Sequence, residues 1–417
     1  MPSPPNLPPQ GKSSTSPPPL HGVRVVDFTR VLAGPFGTQI LAELGAEVIK
    51  IENPHGGDET RARHGATTLD DESPFFLSLN RSKQSVAIDL KHLDGQRVAL
   101  DLIGTADVLV ENFSGPVMRR FQLDYATIRS RFPSLIYCSV SAYGRTGSNA
   151  DAAGYDSPLS AEAGILSLNA YVGQAPVLGG TPYTDITTAL NATIGILAAL
   201  QARARDGHGQ HVDIAMFDTA VANLTFRGYE FLATGNEPAL GVEQVAGPRG
   251  RFETADGSIV ITCSNDKMFN AFCHHVVDRP EWLADERFAT LSERMRNSDV
   301  VLAGIRAALK EHASAALSER CKQVGIPCGA LRTPGAALLS DEADERGLVF
   351  GIPHADGVVP AIAQPYRLSE TPCRYDPPPT LGQHTVELLT QLLGYDDAQV
   401  ERLAESGAIG RAKASAD

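Results

Sequence analysis

The chain has 417 residues, 42% of them hydrophobic, and carries 36 Lys and Arg against 49 Asp and Glu for a net charge of −13. That length exceeds what one hydrophobic core ordinarily organises, so two lobes are expected. The negative body disfavours a nucleic-acid partner, and no apolar run approaches the roughly 18 residues of a membrane span. The six cysteines (138, 263, 273, 321, 328 and 373) lie far apart without CxxC pairs, which predicts reduced, mostly buried thiols in a reducing, cytoplasmic setting rather than a disulfide framework. Cys321 and Cys328 have the wrong spacing for a zinc knuckle and no accompanying histidine, so no metal is expected.

Residues 1–20 read as a disordered Pro/Ser-rich arm, without the apolar stretch of a secretory signal or the arginines of a transit peptide. The β-branched run at 22–28 (GVRVVDF) predicts a buried strand. Pro35 is well placed as a first helical residue, Ile40, Leu41 and Leu44 share a face, and Gly45 ends the helix. Residues 46–52 give a second strand. Strand, helix and strand within about thirty residues make a βαβ unit, which implies a parallel sheet covered by helices.

The alternation continues with strands at 85–89, 107–111 and 135–139 and helices at 93–104 and 159–167. A long helix at 186–205 (ITTALNATIGILAALQARAR) is apolar on most faces, which predicts burial nearly all round. Residues 207–210 break it, and a strand follows at 212–216. From 226 the texture changes: a DG turn at Asp256-Gly257, flanked by Phe252 and Ile259, signals a hairpin, and charged helices run from 270 to 324. The expected class is α/β, with a large Rossmann-like domain at 21–225, a smaller α+β domain at 226–345, and a return to the large domain at 346–417. Beyond Pro353 that return holds short strands, a proline cluster at 377–379 and an acidic helical tail. AGPFG after the first strand lacks GxGxxG spacing, which argues against a dinucleotide-binding oxidoreductase. His208 and His211 precede a strand without a third ligand, and His384 carries little weight.

Several phrases occur in a fixed order along the chain: LHGVRVVDFTRVLAGPFGTQILAELGAEVIKIENPHGGDETR, SLNRSKQSVAIDLK, DVLVENFSGPVMRRFQL, IYCSVSAYGRTG, DGHGQHVDIAMFD and TLGQHT. Together they resemble the class III CoA-transferases, the formyl-CoA and carnitine CoA-transferase family, over nearly the whole chain from Leu20 to about Gly407. The resemblance implies a discontinuous large domain, a small domain inserted in the C-terminal half, and an interlocked homodimer. It implies an enzyme that moves coenzyme A between carboxylic acids, with CoA and acyl-CoA as substrates and no prosthetic group. The phrasing is nearest the succinyl-CoA:dicarboxylate branch.

In Pro182-Tyr183-Thr184-Asp185-Ile186, the aspartate stands before the long apolar helix. Aspartate is a preferred N-cap, so spacing alone leaves capping and catalysis open. The resemblance assigns Asp185 the covalent role, as the carboxylate that attacks the thioester and becomes an anhydride and then a CoA thioester. An ordinary carboxylate is ionised near neutral pH, so no general base is needed. The resemblance places CoA contacts on Leu32, Ala33, Asn53, Ile88, Asp89, Leu90, Lys91, Asn112, Phe113, Ser114, Arg120, Ala152, Ala153, Gly154, Tyr155 and Asp156, with Lys91 and Arg120 as phosphate-binding cations. Ala153 stands where family members often carry a basic residue, which Arg145 or Arg63 would replace. A short basic phrase, Val245-Ala246-Gly247-Pro248-Arg249-Gly250-Arg251, stands in place of a glycine-run loop. It argues against formyl-CoA/oxalate specificity and makes Arg249 and Arg251 candidates for a distal carboxylate. An α-methylacyl-CoA racemase of the same fold is the alternative, but Tyr155 replaces the histidine it needs, and tyrosine is a poor proton shuttle at neutral pH.

Overall fold

A computed structural model describes residues 16–63, 72–170, 175–238, 247–354 and 357–412. Most of the N-terminal arm, and Val245 and Ala246 of the basic phrase, lie outside them. The chain forms two compact units. One comprises Met1–Leu166, Leu178–Glu237 and Asp341–Asp417, and the other Ser167–Val177 and Pro238–Ser340. The first unit therefore runs past the expected limit of 225 and takes in a helix at Thr225–Thr234, while a short segment before the long helix joins the second unit.

Six strands of the first unit, β1 (Arg24–Asp27), β2 (Glu47–Glu52), β3 (Lys83–Ala87), β4 (Val108–Glu111), β5 (Ile136–Ser141) and β6 (His211–Ala215), make one all-parallel sheet in the order β3-β2-β1-β4-β5-β6. Strands buried on both faces read as near-continuous apolar runs, as β1 and β4 do. One face holds Val25, Leu41, Val48, Val108, Ile136, Ala192 and Ile196, under helices Ala33–Glu43 and Tyr183–Asp206. The other holds Val26, Ile49, Val86, Leu102, Leu109, Tyr137 and Leu389, under helices Leu93–Ile103 and Thr385–Gln391. Strand order reverses between β1 and β4, and there the carboxyl ends of an open α/β sheet leave a crevice for ligands.

The edge at β3 is covered by the returning chain. Ser85 and His384 exchange two hydrogen bonds, Ser85 N–H donating to Nδ1 at 3.2 Å and His384 N–H donating to the Ser85 carbonyl at 2.9 Å. Gly410 N–H donates to the Ala87 carbonyl at 2.9 Å. His384 is thus a structural residue that closes an otherwise open edge. In the same unit, β10 (Val349–His354) and β11 (Gly357–Ile362) form an antiparallel hairpin. The second unit holds an antiparallel sheet of β7 (Arg249–Glu253), β8 (Ser258–Thr262) and β9 (Cys328–Ala330), packed with helices Ser298–Lys310 and Ser314–Gln323 around Ile259, Ile261, Phe269, Phe272, Ile305 and Leu317.

Several local expectations are corrected. Leu20 is buried in the core, and its N–H reaches the Leu44 carbonyl at 3.0 Å, so the arm joins the fold before its expected end. The first helix begins at Ala33, making Pro35 its third residue, which is tolerated because no N–H of a first turn has an intrahelical partner. Residues 159–167 are two short helices, Asp156–Glu162 and Ile165–Leu168, parted at Gly164 where φ is +83°. Arg249 and Arg251 stand on β7 rather than in a loop, because their backbone pairs with Thr262 and Val260. The long helix is not buried all round: Leu190 is 42% and Ile194 62% exposed. No helix of the described residues is long and apolar enough to cross a membrane, and no group of three or more His, Cys, Asp or Glu among them could hold a metal ion.

Candidate active site

Loops leaving β1, β4 and β5 meet at the crevice where strand order reverses. Asn112, just after β4, stitches two of them together. Its Oδ1 accepts the Arg30 N–H at 2.9 Å and its Nδ2 donates to the Arg30 carbonyl at 2.7 Å. The next residue, Val31, holds φ at +70°, a conformation a β-branched side chain rarely adopts. Such strain persists where surrounding contacts over-determine the backbone. Gly34 is required just beyond, since a Cβ there would lie 2.3 Å from Cβ of Thr29.

A buried charge network anchors the same loop. Lys50 Nζ, on β2, donates to the Thr29 carbonyl at 2.7 Å and to Asp58 Oδ2 at 3.1 Å. Lys83 Nζ, on β3, reaches Asp27 Oδ2 at 3.1 Å, and Arg61 grips Glu52 through Nη2 at 2.7 Å. Burial alone would raise Asp27, but Lys83 and Lys50 hold it below the usual carboxylate range. Burial lowers Lys83 to about 8, with Asp27 opposing. Sequence reading missed this network. Its signal was available in the charges Asp27, Lys50 and Glu52, which interrupt or end the β-branched runs of β1 and β2.

The crevice is a cavity of about 270 Å³ lined in part by Arg30, Val31, Leu32, Ala33, Glu59, Asn112, Phe113, Ser114, Arg145, Ala152, Ala153, Gly154, Tyr155 and Asp185. A larger cavity, about 790 Å³, lies at the amino ends of β1–β3 and is lined by Arg24, Glu47, Gln84 and His384 among others. The smaller one is the better candidate, because it sits at the carboxyl ends of the strands and contains a perturbed carboxyl group.

That group is Asp185. The long helix starts at Tyr183, three residues earlier than expected, with Pro182 as N-cap and no side-chain cap. Asp185 therefore sits inside the first turn and does not act as N-cap. The apolar period begins only at Ile186 because the opening residues are positioned by polar contacts. Thr184 Oγ1 lies 2.7 Å from Ser160 Oγ, and Asp185 N–H donates to Asp156 Oδ2 at 3.0 Å. Burial, and then the Asp156 charge, push the Asp185 carboxyl up to about 7. This corrects the expectation of a fully ionised group at neutral pH.

The cavity gathers Leu32, Ala33, Asn112, Phe113, Ser114, Ala152, Ala153, Gly154 and Tyr155 around Asp185. Asn53, Ile88, Asp89, Leu90, Lys91, Arg120 and Asp156 do not line it. Ile88 is 1% exposed and packs in the core. Asn53 turns its Oδ1 to the His55 N–H at 2.8 Å, and Asp89 caps its own loop at the Lys91 N–H, 2.9 Å away. Lys91 is exposed in the turn after β3, and Arg120 is exposed at the end of the short helix Gly115–Arg120 that follows β4. Of the proposed replacements for a cation at Ala153, Arg145 lines the cavity but is held by Glu111 at 2.7 and 2.9 Å and by the Phe113 carbonyl at 2.8 Å. Arg63 pairs with Glu59 at 3.2 Å. Arg251 donates to Ser258 Oγ at 2.9 Å on the second unit. Arg30 was missed, although it adjoins the phrase in which Leu32 and Ala33 were singled out.

Known proteins show which family this chain and fold belong to. The sequence profile described as CoA-transferase family III matches residues 20–385. The chain is 34% identical over 384 residues to a succinate–glutarate CoA-transferase of Agrobacterium fabrum, covering 90% of this chain and 96% of that protein. It is 35% identical over 400 residues to a mouse succinyl-CoA:glutarate CoA-transferase, covering 94% and 90%. A CAIB/BAIF family protein from Brucella suis superposes with a TM-score of 0.83 at 32% identity, over 90% of this chain and all of that one (100%). The chain belongs to CoA-transferase family III, and it is an enzyme that transfers coenzyme A between acyl-CoA and carboxylic acids.

Proposed function

We propose that the enzyme exchanges coenzyme A between dicarboxylic acids, with succinyl-CoA as donor, through covalent intermediates on Asp185. The observation that carries this reading is a half-buried carboxyl group in the first turn of a long helix, facing the switch-point cavity. The Asp185 carboxylate attacks the thioester carbonyl, the C–S bond breaks, and CoA leaves as thiolate, giving an acyl-aspartyl anhydride. The thiolate attacks the aspartyl carbonyl, releasing the donor acid and leaving an aspartyl-CoA thioester. The acceptor carboxylate attacks that carbonyl and expels the thiolate. The thiolate then takes the acyl group of the new anhydride and frees Asp185. Activation survives each step only if water is excluded, and a small cavity with a half-buried nucleophile suits that need.

CoA is too long for the cavity alone, and Lys91 and Arg120 are proposed to hold its phosphates outside it. Loss of CoA affinity in Arg120→Ala, read by calorimetry, tests this. A second copy of the chain is proposed to cover the exposed apolar side chains of the first unit, among them Leu190, Ile194, Phe226 (71% exposed) and Leu232 (80% exposed). Patches of this kind mark interaction surfaces. Light scattering at a dimer mass supports that reading; a monomer at working concentration overturns it.

The covalent step is tested by quenching turnover with hydroxylamine or borohydride and mapping the modified peptide. A label on the peptide containing Asp185, absent from Asp185→Asn, is the expected result. Turnover with the label elsewhere removes the assignment.

A further inference from the structure

A dicarboxylic acid bound through one carboxyl group to CoA or to Asp185 leaves its second carboxylate ionised. In a cavity that already holds Asp185, that second charge needs a cation or it will not leave water. Two arginines line the cavity. Arg145 is committed: its Nη2 is bound by both oxygens of Glu111 and by the Phe113 carbonyl, and its side chain is only 15% exposed. Arg30 is not. Its side chain is exposed and, among the described residues, has no carboxylate partner. Its guanidinium carbon lies 4.6 Å from the centre of the Phe113 ring.

Three features pre-organise that arginine. Asn112 holds its N–H and its carbonyl, so the backbone cannot turn away. The strained Val31 follows it, its N–H directed at Asp58 Oδ1 3.4 Å away. The Phe113 ring lies under the guanidinium, a cation–π contact that takes up no N–H donor in a carboxylate pair. A planar guanidinium fork positioned by an aromatic ring and without a carboxylate partner is suited to a bidentate carboxylate.

Resting on the dicarboxylate reading above, we infer that Arg30 is the specificity residue of the acyl site: set over the Phe113 ring at the cavity wall, it clamps the distal carboxylate of the dicarboxylic acid. This role goes to Arg30 in place of Arg249 and Arg251. Diacids are selected because a monocarboxylate leaves the guanidinium without a partner.

The test compares the full-length enzyme with Arg30→Ala, Arg30→Gln and Arg30→Lys, using succinyl-CoA as donor and glutarate or pentanoate as acceptor. Free CoA binding is measured by calorimetry on the same proteins, and circular dichroism checks folding. Arg30→Ala and Arg30→Gln are expected to raise the glutarate KM about 10- to 100-fold, to lower the glutarate-to-pentanoate ratio of kcat/KM, and to leave CoA affinity within about twofold. Arg30→Lys falls between, having the charge without the fork. An unchanged glutarate KM overturns the inference. So does a loss of CoA affinity with the acceptor ratio intact, since the guanidinium then serves CoA phosphates. A wild-type enzyme that transfers CoA but rejects succinate and glutarate removes the dicarboxylate reading itself, which the variants do not affect.

Discussion

Asp156 Oδ2 accepts the backbone N–H of Asp185 at 3.0 Å, and the same carboxylate raises the side chain whose backbone it holds. One residue thus supplies an acceptor to an open helix N-terminus and places a like charge beside Asp185. The two effects separate by substitution. Asp156→Asn keeps an acceptor and removes the charge, so the acid limb of the pH–rate profile moves to lower pH, while the larger effect of burial remains. Asp156→Ala also loses the acceptor and costs about 1 kcal/mol of stability. Denaturant melts and pH profiles of the two variants check both statements; identical profiles for Asp156→Asn and wild type remove the electrostatic half.

The pH dependence of turnover follows from the Asp185 carboxyl, at about 7. Attack on a thioester requires the ionised form, so kcat/KM rises with pH through that value and levels off above it. A profile flat between pH 5.5 and pH 8 contradicts this.

Stability runs in the opposite sense. A carboxyl raised on folding binds its proton more tightly in the folded state, so its contribution is fully present below the ordinary carboxylate range and is lost as pH rises to about 7. Asp185→Asn removes that penalty. We expect it to be inactive yet more stable than wild type at pH 8, by on the order of 2 kcal/mol allowing for its partial exposure. The gain should shrink as pH falls and vanish only at about pH 3, below the ordinary carboxylate value. Equal melting temperatures at both pH values would show that burial costs Asp185 little.

Lys50 is fully buried, binding Asp58 at 3.1 Å and the Thr29 carbonyl at 2.7 Å. Lys50→Ala strands Asp58 in the interior and frees the loop that carries Arg30 and Val31. The expected cost is about 3–5 kcal/mol of unfolding free energy. A loss below 1 kcal/mol in urea denaturation would mean that water replaces the ammonium.

Gly34→Ala tests the close approach of the first helix to Thr29. The added Cβ meets the Thr29 side chain at 2.3–2.8 Å, so the β1 loop must shift. We expect a loss of about 1–3 kcal/mol in stability and weaker CoA binding by calorimetry. Wild-type values for both would show that the loop yields freely.

The sequence by itself determined the alternation of strands and helices, because buried parallel strands demand β-branched runs and their crossovers demand amphipathic helices. The hairpin at Asp256-Gly257 and Asp185 at the entrance to the long helix were legible for the same reason, since both are local patterns. Helix limits were less so. Residues 183–185 carry no apolar period, and the polar contacts that fix them come from Asp156 and Ser160, more than twenty residues away in sequence.

Tertiary structure alone decided which groups share the cavity and how their charges respond. Arg30 and Arg145 look alike in sequence. Arg145 is neutralised by Glu111 and Arg30 lies over the Phe113 ring, because β1, β4 and β5 end side by side. The rise of Asp185 toward neutrality likewise needed a neighbouring carboxylate and a low-dielectric wall, and both are properties of position in space. Periodicity records what a residue does within its own element; ionisation and substrate choice depend on charges that only the folded sheet brings together.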